Sequence, residues 1–543
     1  MRHIAYRFLA AISPARVGTG ALARPGRAKL GCCLRPRQSS IRHGLLLGAA
    51  LVTSMITFMI AAATAETRPH YGGTLRVMLQ SAPDTLDLSA NTANAAPANY
   101  WDMARTLSLV GDTLVKLDAQ GRPQPALAVA WQSDSTARHW QLTLRRGVKF
   151  HDSSPASPTA VAQILGGLHP GWNVRAAADS VSISIDGEAP MPSLLAELAL
   201  PRNLLLKRNA NGAPIGTGPF LVADWQPGKL LKLAAYEDSW AGRPFVDTVE
   251  IEFGQSLRDQ AIALELEKTD VIEVAPQAAG GSQRYGASSS SSSSFSLSLP
   301  VELIALVFSA NSKAQDPRLR EALALAIDRK PIQSVLLKGA GEPAASILPN
   351  WMTGYSAVFS TQANPQRART VLAGSRQPTL NLSYDPRDPQ AQLIAERIAL
   401  NAREVGITVQ VSLSGAEDVR LMRVVLPSPD PATSLSEAAR QLGMQLPLLA
   451  TSRGESSDLD DLYRTERSLL DGYAVIPLFH LPVAVTASAR VRDWEAGRLG
   501  VWSEAGSSLA DLWLDRPLAD RRPADQGPTD QRFYGPRPEA SSR

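Results

Sequence analysis

The side chains that could do chemistry in this chain are few and far apart. Beyond residue 65 the histidines are His70, His139, His151, His169 and His480, and no two stand at a spacing that a helix or hairpin would turn into a metal pair. The two cysteines, Cys32 and Cys33, lie near the N-terminus, so the rest of the chain holds no disulfide, thiolate metal site or cysteine nucleophile. There is no G-x-S-x-G, H-E-x-x-H or C-x-x-C pattern, and no Walker-type lysine. Gly216-Thr217-Gly218-Pro219-Phe220 looks at first like a phosphate loop. It lacks the Lys-Ser/Thr and a following helix, and is expected to be a tight turn ahead of a strand, with glycines supplying the turn dihedrals.

The elements around these residues are legible from periodicity. Trp140, Leu142 and Leu144 alternate with Gln141, Thr143 and Arg145, which predicts one strand of a β-meander over 109–152, with a turn at Gly121–Pro123. The segment 181–186 repeats the alternation. Leu303–Ser309 and Val475–Thr486 are apolar, strand-like runs. Asp316 or Pro317 opens a helix with Leu319, Leu323, Ala326 and Ile327 on one face. Further on come a strand at Leu380–Tyr384, a helix at Gln390–Val405 ended by Gly406, and a strand at Ile407–Val411. Strand–helix–strand in that order implies a parallel pair with a crossover helix, hence an α/β lobe. Gly280–Ser298, with seven consecutive serines at Ser288–Ser294, is expected to be a flexible surface loop. The stretch from Asp515, rich in Pro, Asp and Arg, is expected to be a disordered tail.

Residues 1–43 carry nine Lys/Arg and no acid, and the uncharged apolar run Leu45–Ala63 leads into Ala63-Thr64-Ala65. That order predicts a signal peptide cleaved after Ala65, the alternative being a retained transmembrane anchor. Taking the leader's +9 from the formal net charge of +4 leaves −5 for residues 66–543. The basic character belongs to the leader, and nucleic acid is not an expected partner.

The order of motifs over 109–152 resembles a known family. Asp112-Thr113-Leu114-Val115, an Asp118-x-x-Gly121 turn, Pro125-x-Leu127-Ala128-x-x-Trp131, and then Trp140-x-x-x-Leu144-Arg145-x-Gly147-Val148-Lys149-Phe150-His151-Asp152 are similar to the extracytoplasmic solute-binding proteins of family 5, which serve peptide/nickel-type ABC importers. The resemblance returns at Pro214–Phe220, in the helix from Asp316 to Asp328, in the loop Gly339–Ala344, and at Asn364–Leu372, which looks like the family's short helix. It departs after Asp152, where the first lobe looks trimmed.

The resemblance implies a two-lobed α/β fold, periplasmic-binding-protein-like, with mixed sheets and a hinge of two crossing strands. Residues 1–65 would be the signal peptide, 66–302 with 475–514 lobe I, 303–474 lobe II and 515–543 the tail. It implies no enzyme activity, no cofactor and no metal. A periplasmic monomer would take a peptide or small solute between its lobes and pass it to ABC permease subunits in the inner membrane. Trp101, Trp351, Tyr355, Tyr384 and Arg387 are candidate cleft contacts by this route. Relatives that bind peptides place an acid three residues before an acidic residue followed by Pro, a position that Pro427 holds here. Here Leu426-Pro427-Ser428-Pro429-Asp430-Pro431 leaves Asp430 as the nearest acid, with a turn-initiating Asp-Pro as the plainer account. The alternative function is a periplasmic sensor or scaffold that keeps the fold without transport.

Overall fold

The computed structural model describes residues 69–515 except 89–99, 119, 276–293, 356, 375–377, 387, 414–416, 447–454, 495–502 and 505–506. The expected leader, most of the serine run, Arg387 and the tail beyond Asp515 lie outside the described residues. Among the described residues, no helix is long and apolar enough to cross a membrane.

The elements that matter for function, in chain order, are β1 (Thr74–Met78), α1 (Tyr100–Leu107), β2 (Phe220–Gln226), β3 (Leu230–Ala235), β4 (Thr248–Glu252), β5 (Val271–Val274), β6 (Ser294–Phe308), β7 (Leu380–Ser383), α2 (Pro389–Glu404), β8 (Val409–Val411), β9 (Val419–Val425), α3 (Pro431–Gln441) and β10 (Val475–Ala487). They build one large mixed sheet in the order β2-β3-β4-β1-β5-β10-β6-β9-β7-β8. On one side, β1 runs parallel to both β4 and β5. On the other, β7 runs parallel to β8 and β9. The expected crossover pair is β7 and β8, with α2 between them in sequence.

Between the two parallel regions lie β6 and β10, antiparallel to each other along nearly their whole length. The residues of β6 alternate between two apolar clusters. Ile304, Leu306 and Phe308 pack with the cluster that includes α2, whereas Leu303 and Ala305 pack with the one that includes α3. A strand buried on both faces shows no polar alternation, which is why Leu303–Phe308 reads as a continuous apolar run. At the far end of β10, Val485 and Ala487 join a different cluster, built on β1, α1 and β4.

The extent of β6 corrects one sequence expectation. The strand begins at Ser294, so Ser294–Ser298 are not part of a flexible loop. Ser294–Leu297 pair with Ala487–Ala484 of β10, and this pairing gives a serine-rich stretch the backbone partners that its side chains cannot supply. At the other end, Asp515 is buried: its amide donates to Arg490 O and its carboxylate pairs with Arg492.

A separate four-stranded antiparallel sheet carries the motif-rich region, with strands Ala128–Ser133, His139–Leu144, Ser182–Gly187 and Trp172–Ala176 in that order. Trp140, Leu142 and Leu144 are buried as their spacing requires. Helix starts follow one local rule. Ser157-Pro158, Asp316-Pro317, Asn364-Pro365, Asp388-Pro389 and Asp430-Pro431 each pair a capping side chain with Pro in the first turn. The cap oxygen accepts from a free amide, and Pro stands where no amide is needed.

The turn at Gly216–Phe220 precedes β2 as expected, but its glycines are needed for a different reason. Neither Gly216 nor Gly218 has a positive φ. A Cβ on Gly216 would lie 2.0 Å from Val110 O, and one on Gly218 2.7 Å from Val110 C. Close approach of two backbones excludes a side chain there. His151 belongs to the same junction: its Nε2 lies 3.0 Å from Gly218 O, and burial pulls its pKa down.

Candidate ligand-binding cleft

In open α/β sheets, ligands bind outside the carboxyl ends of parallel strands. Here both parallel regions end in charged side chains. In the first, Arg105 on α1 is 1% exposed and pairs with two carboxylates, Asp102 one turn earlier and Glu273 of β5. Glu273 is held in turn by the Gln80 amide, just beyond β1, at 2.6 Å. In the second, Arg423 of β9 also pairs with two carboxylates, Glu302 at 2.6 Å and Asp388 at 2.7 Å. Asp388 follows β7 and caps α2 with its other oxygen. Glu302 sits on β6, opposite Val425 of β9 and Leu481 of β10.

The two trios sense each other. Burial is the largest influence on the Asp102 carboxyl and pushes its pKa up to about 6; Arg105 opposes this, while Glu273 and Glu302 add to it. Arg423 loses solvation as well, but Glu302 and Asp388 outweigh that loss and hold it firmly protonated. About a third of the Arg423 side chain and a fifth of the Asp102 side chain stay open to solvent. Charged groups deep in the fold yet still wetted are what the wall of a cleft requires.

A second set of contacts lies at the start of α1. Arg202 bridges Glu197 and Glu437 of α3, at 2.6 and 2.5 Å, and Arg440 of α3 lies 5.3 Å from the centre of the Tyr100 ring. Beside it, a cavity of about 60 Å³ is walled by Asp112, Lys116 and Pro201 on one side and by Pro427–Pro429 on the other. It has room for a few waters.

The candidate residues fall in different places. Trp101 is 8% exposed in the core under α1, and its indole N–H has no partner among the described residues. Trp351 is half-buried and donates to Pro300 O of β6 at 2.9 Å. The Tyr355 hydroxyl donates to the buried Glu466 carboxylate, and its ring meets Tyr463 edge-on. Tyr384 follows β7 and packs partly buried against the α2 cluster. Asp430 caps α3 by accepting from Thr433 N at 2.8 Å, so its carboxylate already serves the helix. Trp351 lies in the short helix Asn350–Thr353 and Tyr355 just after it, while Trp101, Tyr384 and Asp430 stand on or beside three other elements.

Sequence reasoning missed Asp102, Arg105, Glu273, Glu302, Asp388 and Arg423. The available signal was a charge set inside an apolar strand: Glu302 between Val301 and Leu303, and Arg423 between Met422 and Val424. Among the described residues, no three His, Cys, Asp or Glu side chains gather as a metal site would require.

Residues 122–425, more than half of the chain, match the family model of bacterial extracellular solute-binding proteins, family 5 (middle region). The chain belongs to this family. It is 24% identical over 324 residues to the nickel-binding protein NikA of Staphylococcus aureus, a match covering 55% of this chain and 64% of NikA. It is also 24% identical to the peptide transport periplasmic protein SapA of Salmonella typhimurium, over 64% of this chain and 72% of SapA. The match to NikA thus spans just under two thirds of that protein's length. Among solved structures, the periplasmic binding protein AgaA of A. tumefaciens R10, determined with agropinic acid, superposes with a TM-score of 0.70 at 19% identity, covering 82% of this chain and 99% of AgaA. The fold is that of the two-lobed periplasmic binding proteins, and the family is one of solute-binding proteins rather than enzymes.

Proposed function

We propose that the protein is the extracytoplasmic solute-binding component of an ABC importer, taking a peptide or peptide-like small solute between two lobes and delivering it to the permease. The observation that carries this reading is the pair of charged trios, each at the carboxyl ends of a parallel set of strands, on either side of the crossing strands β6 and β10. Residues 66–302 with 475–514 form lobe I in this reading, and 303–474 form lobe II. The lobe boundary then falls inside β6, which lets the strand bend as the lobes close. The N-terminal leader directs export and is removed after Ala65.

Ligand linkage tests the reading. A solute that binds only the folded protein contributes about 2.7 kcal/mol at 100 times its Kd. Each kcal/mol moves the melting temperature of a domain this large by roughly 2–4 °C. A screen of di- to pentapeptides, opine-like conjugates, oligosaccharides and nickel chelates on stripped protein starting at Glu66 should yield one class that raises it by several degrees and shrinks the radius of gyration. A blank screen would favour a sensor or scaffold that keeps the fold without transport.

A further inference from the structure

We propose that Glu437 is the catch of a reversible latch between the lobes, engaged by Arg202 and, through Arg440, by Tyr100; this rests on the two-lobed, solute-binding reading above. Arg202 lies in the turn Pro201–Asn203 of lobe I and Glu437 on α3 of lobe II, 235 positions away in sequence. Glu437 is 1% exposed. It accepts from Arg202 at 2.5 Å, and from Arg440, one turn on, at 2.5 and 3.0 Å. Arg202 gives its other nitrogens to Glu197 of its own lobe, at 2.6 and 2.9 Å. The Arg440 guanidinium lies 5.3 Å from the centre of the Tyr100 ring, within reach of a cation–π contact across the same gap.

How the charges divide marks this contact as one built to part. When the lobes separate, Arg202 stays with Glu197 and Glu437 with Arg440, so each lobe keeps a hydrogen-bonded pair of net charge zero. Parting a buried ion pair is costly when it leaves a bare charge behind, and here neither half is bare. The Arg202 and Arg440 side chains are 24% and 26% exposed, so water reaches them as they part. The walls beside them meet loosely, around the cavity of about 60 Å³ between Pro201 and Pro427–Pro429. A pivot for the motion lies in the crossing strands. Ser294–Leu297 pair with the part of β10 that also pairs with β5, whereas Glu302–Phe308 pair with β9. Between these stretches the register of β6 and β10 slips on both sides of Pro300, which faces Pro482, and neither proline has an amide for the ladder. The latch works without touching the solute. It adds the same free energy to the closed form whatever is bound, and so scales the affinity for every solute by one factor.

The test needs no solute. Beyond Cys33 the chain has no cysteine, so Glu188→Cys in lobe I and Glu404→Cys in lobe II, both exposed positions, take one label each. The distance between the labels is measured in the chain starting at Glu66, together with the radius of gyration. In Arg202→Gln the ratio of closed to open molecules should fall roughly fivefold or more. Arg440→Gln should shift it in the same direction, and keeps the experiment decisive if Arg202→Gln fails to fold. Raising the salt from about 0.05 M to about 0.5 M should open the wild type and leave Arg202→Gln unmoved, because only the wild type has the screened pair to lose. Distances unchanged in both variants and at both salt concentrations would overturn the latch, with solute binding left in place. Melting with the peptides, opine-like conjugates, oligosaccharides and nickel chelates named above is followed beside it. A blank screen would count against the solute-binding reading, and the label distances would still decide the latch.

Discussion

Two buried polar side chains on or beside β10, His480 and Glu466, find partners chiefly on the backbone. His480 Nε2 lies 2.9 Å from Ile347 O, and Glu466, 0% exposed, accepts from the Ile347 and Leu348 amides and the Tyr355 hydroxyl. Around α1 and Glu302, side chains meet side chains: among the described residues Arg105 is shared by two carboxylates, and Arg423 by two others. Glu466 has three donors facing it, whereas Asp102 and Glu302 each share a guanidinium with a second carboxylate. A donor matched to each acceptor is what a core needs to be rigid. An unbalanced set costs stability, and such costs are expected where a ligand completes the balance.

The comparison breaks most readily at Glu466. Glu466→Ala leaves two backbone amides and the Tyr355 hydroxyl unpaired in a buried site, and should destabilise the protein by about 4 kcal/mol, since each such orphan costs about 1–3 kcal/mol. Chemical denaturation measures it, and a loss below about 1 kcal/mol would mean that solvent reaches this site.

pH sharpens the contrast, because the two regions respond with opposite sign. Burial pulls the His480 pKa down to about 4 from 6.5. Between those values the unfolded chain binds the proton that the folded protein refuses, so this contribution is present above pH 6.5 and is lost as pH falls toward 4. The loss amounts to about 3 kcal/mol. Asp102 runs the other way: with its pKa raised to about 6 from 3.8, the folded protein holds the proton more tightly, and stability falls as pH rises through that window. The stability gap between wild type and His480→Gln should therefore narrow on acidification, and Asp102→Asn should gain on wild type between pH 4 and pH 6. Parallel melting curves across that range would contradict both assignments.

The smallest effect is expected at Asp430. As the cap of α3 it should cost about 1 kcal/mol when changed to Ala and only a few tenths when changed to Asn, which caps equally well. A large loss of solute affinity in Asp430→Asn, with melting unchanged, would return this residue to the binding site.

Much of the fold was legible because it is written locally. Asp-Pro and Asn-Pro pairs fix helix starts, Gly406 closes α2, and period-2 alternation marks Trp140–Leu144. The error at Ser294–Ser298 came from composition: serine gives no apolar signal, and the strand there exists because β10 lies alongside to pair with it. The site was less legible. Tyr355 and Asp430 were noticed as an aromatic and an acid on expected loops, but nothing nearby in sequence reveals that Glu466 and an α3 amide already engage them.

By itself, then, the sequence determined the class of fold, the order of its elements and the family to which it belongs, since periodicity, caps and ordered motifs are short-range properties of the chain. Only the tertiary structure decided which charges meet. Asp102, Arg105, Glu273, Glu302, Asp388 and Arg423 come from α1, three strands and the cap of α2. Their net charge as a group exists only once β6 and β10 bring the two parallel regions together, because electrostatic energy depends on distance through space and not on position along the chain.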